Sequence, residues 1–312
     1  MVTVTGSLAF DYIMDFPGVF SDHIMPEKIH QLNLSFLVNN LKKQHGGTAG
    51  NIAYNLSLLR IPASIVGFAG HDFSEYKKFL QKSGVDTSKI KISKDKFSSS
   101  AFIMTDKVDN QIIGFYPGAM SDNSKLSLTN IKADLAVISP NDTKAMLKFT
   151  KDCKELKLKY LIDPGMQLPA LTVYNLKEMI SDATILIGND YEIALLKKKA
   201  NLDEPTLLNQ VKILITTLGA KGSIIQTKDE KIHVKAGKPK KVLDPTGAGD
   251  AYRAGFLAGY QKDFDLKTCG QMGSIASCYA VEKYGTTQHT FTIREFSKRY
   301  RENFGKGLRL SS

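Results

Sequence analysis

The chain has 312 residues, and 42 Lys plus Arg against 31 Asp plus Glu leave a formal charge of +11. That length can bury a sizeable core, and an apolar content of 42% argues against wholesale disorder. No apolar run approaches the roughly 20 residues of a membrane helix, the N-terminus lacks the pattern of a signal peptide, and three scattered cysteines make neither a disulfide framework nor a zinc cluster.

The expectation is a cytoplasmic protein with no membrane partner. Only six of the cations are Arg, and the lysines are dispersed, often in pairs such as Lys42 and Lys43. A solvated lysine-rich surface accounts for this. No stretch clusters arginine with aromatics as a nucleic-acid surface would, so no nucleic-acid partner is expected.

In chain order, residues 1–6 read as a strand entering a turn. Apolar and polar residues alternate across residues 10–44 and again across 98–117. Period two marks half-exposed antiparallel strands, read here as a small β lid contributed discontinuously by these two segments. Between them, residues 51–60 and 75–83 read as helices. From about Ser121, the apolar strands 135–138, 160–162, 184–187 and 211–216 alternate with helical stretches 143–156, 176–180 and 191–199. This predicts a single α/β domain over residues 1–312. Its core is a doubly wound, mostly parallel sheet with helices on both faces and sites at the carboxyl ends of the strands. Residues 294–309 look like a terminal helix with a frayed tail.

The strongest motif is Asp244-Pro-Thr-Gly-Ala-Gly-Asp250, running into the apolar helical residues 251–260. Gly247, Ala248 and Gly249 let the backbone approach a ligand closely. Amides at a helix start, with the helix dipole, make an anion site. Asp250 would repel phosphate, so its place makes sense if it accepts a proton from an attacking hydroxyl. It serves equally well as a helix N-cap, and the local sequence leaves both readings open.

A second motif, His45-Gly-Gly-Thr-Ala-Gly-Asn51, again sets glycines before a helix. Gly46, Gly47 and the neutral Asn51, with Asp11 as a nearby carboxylate, suit sugar hydroxyls better than phosphates. An ordinary turn would look the same. A third, Thr216-Thr-Leu-Gly-Ala-Lys-Gly222, follows an apolar strand and fits a nucleotide contact or a plain hairpin. The sequence holds no P-loop, dinucleotide fingerprint, protein-kinase catalytic loop or nucleophile elbow, and its six histidines lack metal-ligand spacing.

With these motifs the chain resembles the ribokinase-like (PfkB-type) sugar and nucleoside kinases. Gly46-Gly-Thr-Ala-Gly-Asn51 is similar to the family's N-terminal signature. Asp244-Pro-Thr-Gly-Ala-Gly-Asp250 is similar to its C-terminal one, about 200 residues later. The likeness runs from Gly6 to about Gly285. Between the signatures, Asn189-Asp-Tyr-Glu192 is similar to the family's Asn-x-x-Glu motif. Thr217, Gly219 and Gly222 match its ATP loop.

The resemblance implies ATP-dependent phosphoryl transfer to a primary hydroxyl. Asp250 would be the general base, and the amides of Gly247, Ala248 and Gly249 would neutralise charge on the transferred group. Asn189 and Glu192 would organise Mg²⁺ and its waters; a buried core carboxylate is the other reading of Glu192. Asn189, Thr217, Gly219 and Gly222 would border ATP. Asp11 would hold two sugar hydroxyls, helped by Gly46, Gly47 and Asn51. Asp244 and Thr246 stand where many members help bind a monovalent cation, which brings in potassium, although the match there is partial.

The acceptor is less constrained. The segment between Asp11 and Gly46 is longer than in typical ribokinases and carries Phe16, Phe20 and Phe36. An aromatic-lined lid can stack on a purine, and residues 6–13 and 16–18 look like bacterial adenosine-kinase-like sequences. Adenosine is therefore the first expected acceptor, phosphorylated at its 5′-hydroxyl to AMP. The same phenylalanines also fit a lid core. A fructokinase- or ribokinase-type sugar kinase is the alternative, and the intact Asp250 turn argues against a non-catalytic sugar-binding regulator. Monomer and homodimer are both left open.

Overall fold

A computed structural model describes residues 1–310 apart from 32, 109 and 309. The chain begins with Val2–Thr5 (β1), Ala9–Asp15 (β2), Asn40–Gly46 (β3), Thr48–Leu58 (α1), Ala63–Ala69 (β4), Ser74–Lys82 (α2) and Ile90–Ile92 (β5). It continues through Ser99–Thr105 (β6), Gln111–Tyr116 (β7), Leu135–Ile138 (β8), Thr143–Glu155 (α3), Lys159–Ile162 (β9), Val173–Ile180 (α4) and Ala183–Asn189 (β10). Asp190–Ala200 (α5), Glu204–Gln210 (α6), Val211–Thr217 (β11), Ser223–Gln226 (β12) and Lys231–Val234 (β13) follow. Ala248–Tyr260 (α7), Leu266–Val281 (α8) and Ile293–Phe304 (α9) complete it. No helix among the described residues is long and apolar enough to cross a membrane.

Among the described residues, nine strands form the main sheet in the order β13-β12-β11-β10-β9-β8-β1-β4-β5. Strands from β11 to β5 run parallel, whereas β12 and β13 form an antiparallel edge. Leu135 and Val137 of β8 face one core, while Ala136 and Ile138 face the other. Ile185 and Ile187 against Leu186 on β10 repeat the pattern, as do Ile213 and Ile215 against Leu214 on β11. A strand buried on both faces is apolar at every position, which is why these segments read as continuous runs. Ile52 of α1, Tyr76 of α2, Phe256 of α7, Met272 of α8 and Phe296 of α9 close one core. Phe149 of α3, Met179 of α4, Leu196 of α5 and Leu207 of α6 close the other.

The sheet reverses its winding between β1 and β8, and a crevice is expected above the carboxyl ends there. Thr48 links the two strand ends: its Oγ1 lies 2.8 Å from Ser139 Oγ, and its N–H donates to Ser7 Oγ (3.1 Å).

A separate four-stranded sheet, β3-β2-β6-β7, draws its strands from the two alternating segments. The expectation of antiparallel strands needs correction at its centre, where β2 and β6 run parallel. Each rises from the same carboxyl edge of the main sheet, because β4, α2 and β5 return the chain to that edge in between. The phenylalanines also correct an expectation. Phe16 and Phe20 are buried against each other (5.5 Å between rings), and Phe36 packs edge-on to both. With His23 they form a small core between β2 and β3, not an open stacking surface.

Candidate active site

Gly247, with φ of +79°, is the N-cap of α7, and no side chain caps this helix. Asp250 stands three residues inside the helix, so the N-cap reading of this carboxylate falls. Ala248 turns its N–H back to the Pro245 carbonyl (3.2 Å), and regular helical bonding starts where Ala251 donates to Gly247 (2.9 Å). The amides of Gly249 and Asp250 therefore belong to the unpaired first turn, where an anion is favoured. Ala248 is occupied elsewhere, contrary to the expectation for its amide. A side chain at Gly249 would crowd Arg253 Nη1 at 2.7 Å.

Asp250 is buried, and its Oδ2 accepts a hydrogen bond from Asn51 Nδ2 (2.8 Å) across 199 positions of sequence. Burial pushes its pKa up, while Arg253 and the Asn51 amide pull it down. One turn along α7, Arg253 Nε lies 2.7 Å from Asp163 Oδ2, just past β9, and both side chains are buried. The sequence reading missed this ion pair. Its available signal was a lone arginine inside the apolar run Ala-Tyr-Arg-Ala-Gly-Phe, which requires a buried counter-charge. Asn51 Oδ1 and Asp163 Oδ1 are buried and have no partner among the described residues. Both atoms retain acceptor capacity that a ligand or water can use.

Asp11 projects from β2, in register with Gln44 of β3 and Ala101 of β6. Burial first, then the charges of Asp250 and Asp244, push its pKa up to about 6. The charges of Asp250 and Asp244 therefore both reach Asp11. A side chain at Gly46 would strike the Asp11 carboxylate, and Gly47, at φ +85°, packs on the backbone of Ser7 and Ala9. Gly50 makes room for the Tyr76 hydroxyl. These glycines are thus required by protein contacts where β3 meets α1, which the expectation of ligand-facing amides did not include.

Asn189 and Thr217 are neighbours at the carboxyl ends of β10 and β11. Asn189 and Glu192 form a capping box on α5. Asn189 Oδ1 accepts from Glu192 N–H, and Glu192 Oε2 accepts from Asn189 N–H, both at 2.8 Å. Glu192 is half-buried, which removes the core-carboxylate reading, and its charge acts on both Asp163 and Arg253. Gly219 and Gly222 have left-handed φ of +57° and +97° and build the β11–β12 hairpin. Asp244 accepts the N–H groups of Thr246 and Gly285, each at 2.9 Å. Among the described residues, no group of three or more His, Cys, Asp or Glu side chains is placed to hold a metal.

A helix N-terminus that carries a buried carboxylate, at the carboxyl edge of a doubly wound sheet, favours an anionic ligand beside a proton acceptor. The sequence profile of the pfkB family carbohydrate kinases matches residues 10–292, and the chain belongs to that ribokinase-like family of enzymes that phosphorylate a hydroxyl group. It is 34% identical over 286 residues to the nucleoside kinase of Methanocaldococcus jannaschii, covering 91% of each chain. With the nucleoside kinase of Methanothermobacter thermautotrophicus it shares 33% identity over 306 residues, covering 96% of this chain and 95% of that one. The structure of Burkholderia thailandensis nucleoside kinase in complex with inosine superposes with a TM-score of 0.91 at 33% identity, covering 98% of this chain and 99% of that one.

Proposed function

We propose that the chain is an ATP-dependent nucleoside kinase acting on the 5′-hydroxyl, with purine nucleosides, adenosine first, as acceptors. One observation carries this reading: beside Asp11, its face of the small sheet holds an apolar patch on β2, β6 and β7, flanked by Gln44 and Lys42 of β3. Strand register puts Ile13, Ala101, Ile103, Ile113 and Phe115 on that face, and Ile113 and Phe115 are exposed. A flat heteroaromatic base suits such a surface, whereas a bare sugar needs polar partners beyond its first hydroxyls. The inosine held by the Burkholderia thailandensis enzyme belongs to the same ligand class.

In this reading the small sheet is the lid. Asp11 accepts the ribose hydroxyls, and Asn51 Oδ1 takes one further hydroxyl hydrogen while its amide steadies Asp250. Asp250 receives the proton of the attacking 5′-hydroxyl. The amide of the N-cap Gly247 and the first-turn amides of Gly249 and Asp250 face the transferred phosphoryl group. Thr217, Gly219 and Gly222 border the nucleotide. Without a protein cage of carboxylates, Asn189 and Glu192 suit Mg²⁺ only through its waters, and the ion would offset phosphate charge there. A monovalent cation such as potassium would meet Asp244 and Thr246 through lone pairs left free by the loop bonds.

The test is turnover of Mg-ATP with adenosine, inosine, cytidine, ribose and fructose. Adenosine should give the highest kcat/KM; a higher value for ribose or fructose would overturn the nucleoside assignment. A second expectation concerns Asp11. Protonation as pH falls through about 6 removes its charge-assisted hydrogen bonds, so nucleoside KM should rise below that pH while ATP KM stays level. The folded protein binds this proton more tightly than the unfolded chain, so ionisation of Asp11 costs stability as pH rises through 6. Asp11→Asn should therefore stabilise the fold at pH 7 by about 1–3 kcal/mol and raise nucleoside KM about 10–100-fold. Urea titration and steady-state kinetics read the two effects separately. A flat nucleoside KM between pH 5 and 8 would remove Asp11 from the acceptor site.

A further inference from the structure

We infer that His289 is a positioning residue for Asp250, acting through Asn55 and Asn51 along one face of α1. The inference rests on Asp250 as the base. His289 Nε2 lies 2.8 Å from Asn55 Oδ1. Asn55 Nδ2 donates to the Asn51 carbonyl one turn earlier (2.9 Å), and Asn51 Nδ2 donates to Asp250 Oδ2 (2.8 Å). His289, Asn55, Asn51 and Asp250 are all buried.

The bonding selects one tautomer. With its Nδ2 engaged on the Asn51 carbonyl, Asn55 faces the ring with oxygen, which can only accept, so His289 Nε2 carries the proton. Nδ1 is then bare, and it has no partner among the described residues. Burial drives the ring's pKa down to about 4, which keeps it a neutral single donor near pH 7.

His289 lies in the loop between α8 and α9, which joins the two halves of the site. Gly285 N–H holds Asp244 (2.9 Å), Thr286 Oγ1 donates to the His45 carbonyl (2.8 Å), and the Tyr54 hydroxyl donates to the His289 carbonyl (2.6 Å). The loop thereby sets α1 and the end of β3 against the turn before α7. Without the ring N–H, the Asn55 amide is free to rotate, and the Asn51 carbonyl loses its side-chain donor and keeps only the helical N–H of Asn55. Asn51 then holds Asp250 less firmly, and a misplacement of about 1 Å can cost as much as about 100-fold in rate.

His289→Phe keeps an aromatic ring and removes the donor, whereas His289→Gln returns an N–H at similar reach. His289→Phe should lower kcat roughly tenfold with both KM values within about twofold of wild type, and His289→Gln should recover most of the loss. Asn55→Leu, which removes the intermediate link, should show the same loss, and the double variant should be no slower than the slower single. A lowered melting temperature with kcat within about twofold of wild type would mean packing alone and would end the proposal. If His289→Phe does not fold, Asn55→Leu decides by the same criterion. Asp250→Asn run alongside separates the two readings. Undiminished turnover there removes the base itself, whereas an inactive Asp250→Asn beside a fully active His289→Phe removes only the role of His289.

Discussion

Asp250→Asn is expected to lower kcat by about 10²–10⁴-fold, the usual contribution of a general base. The replacement keeps the volume and an oxygen that can still accept from Asn51 Nδ2, so the contact across 199 positions survives. It removes the lone pairs that would receive the proton of the 5′-hydroxyl. No helix cap is lost, because Gly247 occupies the N-cap and Asp250 lies inside the helix. Stability should not fall, since burial already opposes the charge on Asp250. Nucleoside KM should change little, because Asp11 and Asn51 are assigned to the ribose, and ATP should bind no more weakly once a negative charge beside its phosphates is gone. Single-turnover rates with thermal melts decide the matter. Wild-type turnover in a folded Asp250→Asn protein would sink the mechanism.

The largest effect on stability should come from Arg253→Gln. Arg253 and Asp163 form a buried ion pair, with Nε and Oδ2 2.7 Å apart. Removing the cation alone leaves Asp163 desolvated beside the charge of Glu192, so it either stays charged at a cost or takes up a proton. Breaking one partner of such a pair costs about 3–5 kcal/mol. The double variant Arg253→Gln/Asp163→Asn should regain most of that loss, since no net charge stays buried. The same substitution acts on catalysis. Arg253 holds the pKa of Asp250 down against burial, so its removal should shift the acid limb of the kcat profile to higher pH. Urea unfolding and a pH–rate profile of the single and double variants read both effects. A single variant as stable as wild type, with an unmoved profile, would make the pair peripheral.

Much of the architecture was legible because it is written in short-range patterns. A strand covered on both faces must be apolar at consecutive positions, so β8 to β11 announced themselves. The glycine-rich starts of α1 and α7 were visible for a similar reason, since a turn and a close approach leave few residue choices. Other elements were hidden by their own packing. Helix α8 carries Gly273 because it crosses α7 at close range, and Gly270 because it packs closely on Ile225 of β12 and Val234 of β13. A side chain at Gly255 would strike the backbone at Met272 and Gly273, and one at Gly273 would strike Tyr252. Small residues chosen for that contact dilute the helical signal, and α8 went unread. Strands β4, β12 and β13 were likewise missed, being short or diluted by serine, glycine and lysine.

The residue types of the proposed site and their order along the chain were determined by the sequence alone: Asp11, Gly46 to Asn51, Asn189, Glu192, Thr217 and Asp244 to Asp250. Their working relations were decided only by tertiary structure. Asn51 meets Asp250, Arg253 meets Asp163, and His289 meets Asn55 across 199, 90 and 234 positions. No local periodicity reports such pairs, because each is made by packing one element over another. The parallel pairing of β2 with β6 and the self-packing of Phe16, Phe20 and Phe36 belong to the same class. So does the pKa of Asp11, which is raised by its burial and by two carboxylates more than 200 positions away that no window around residue 11 contains.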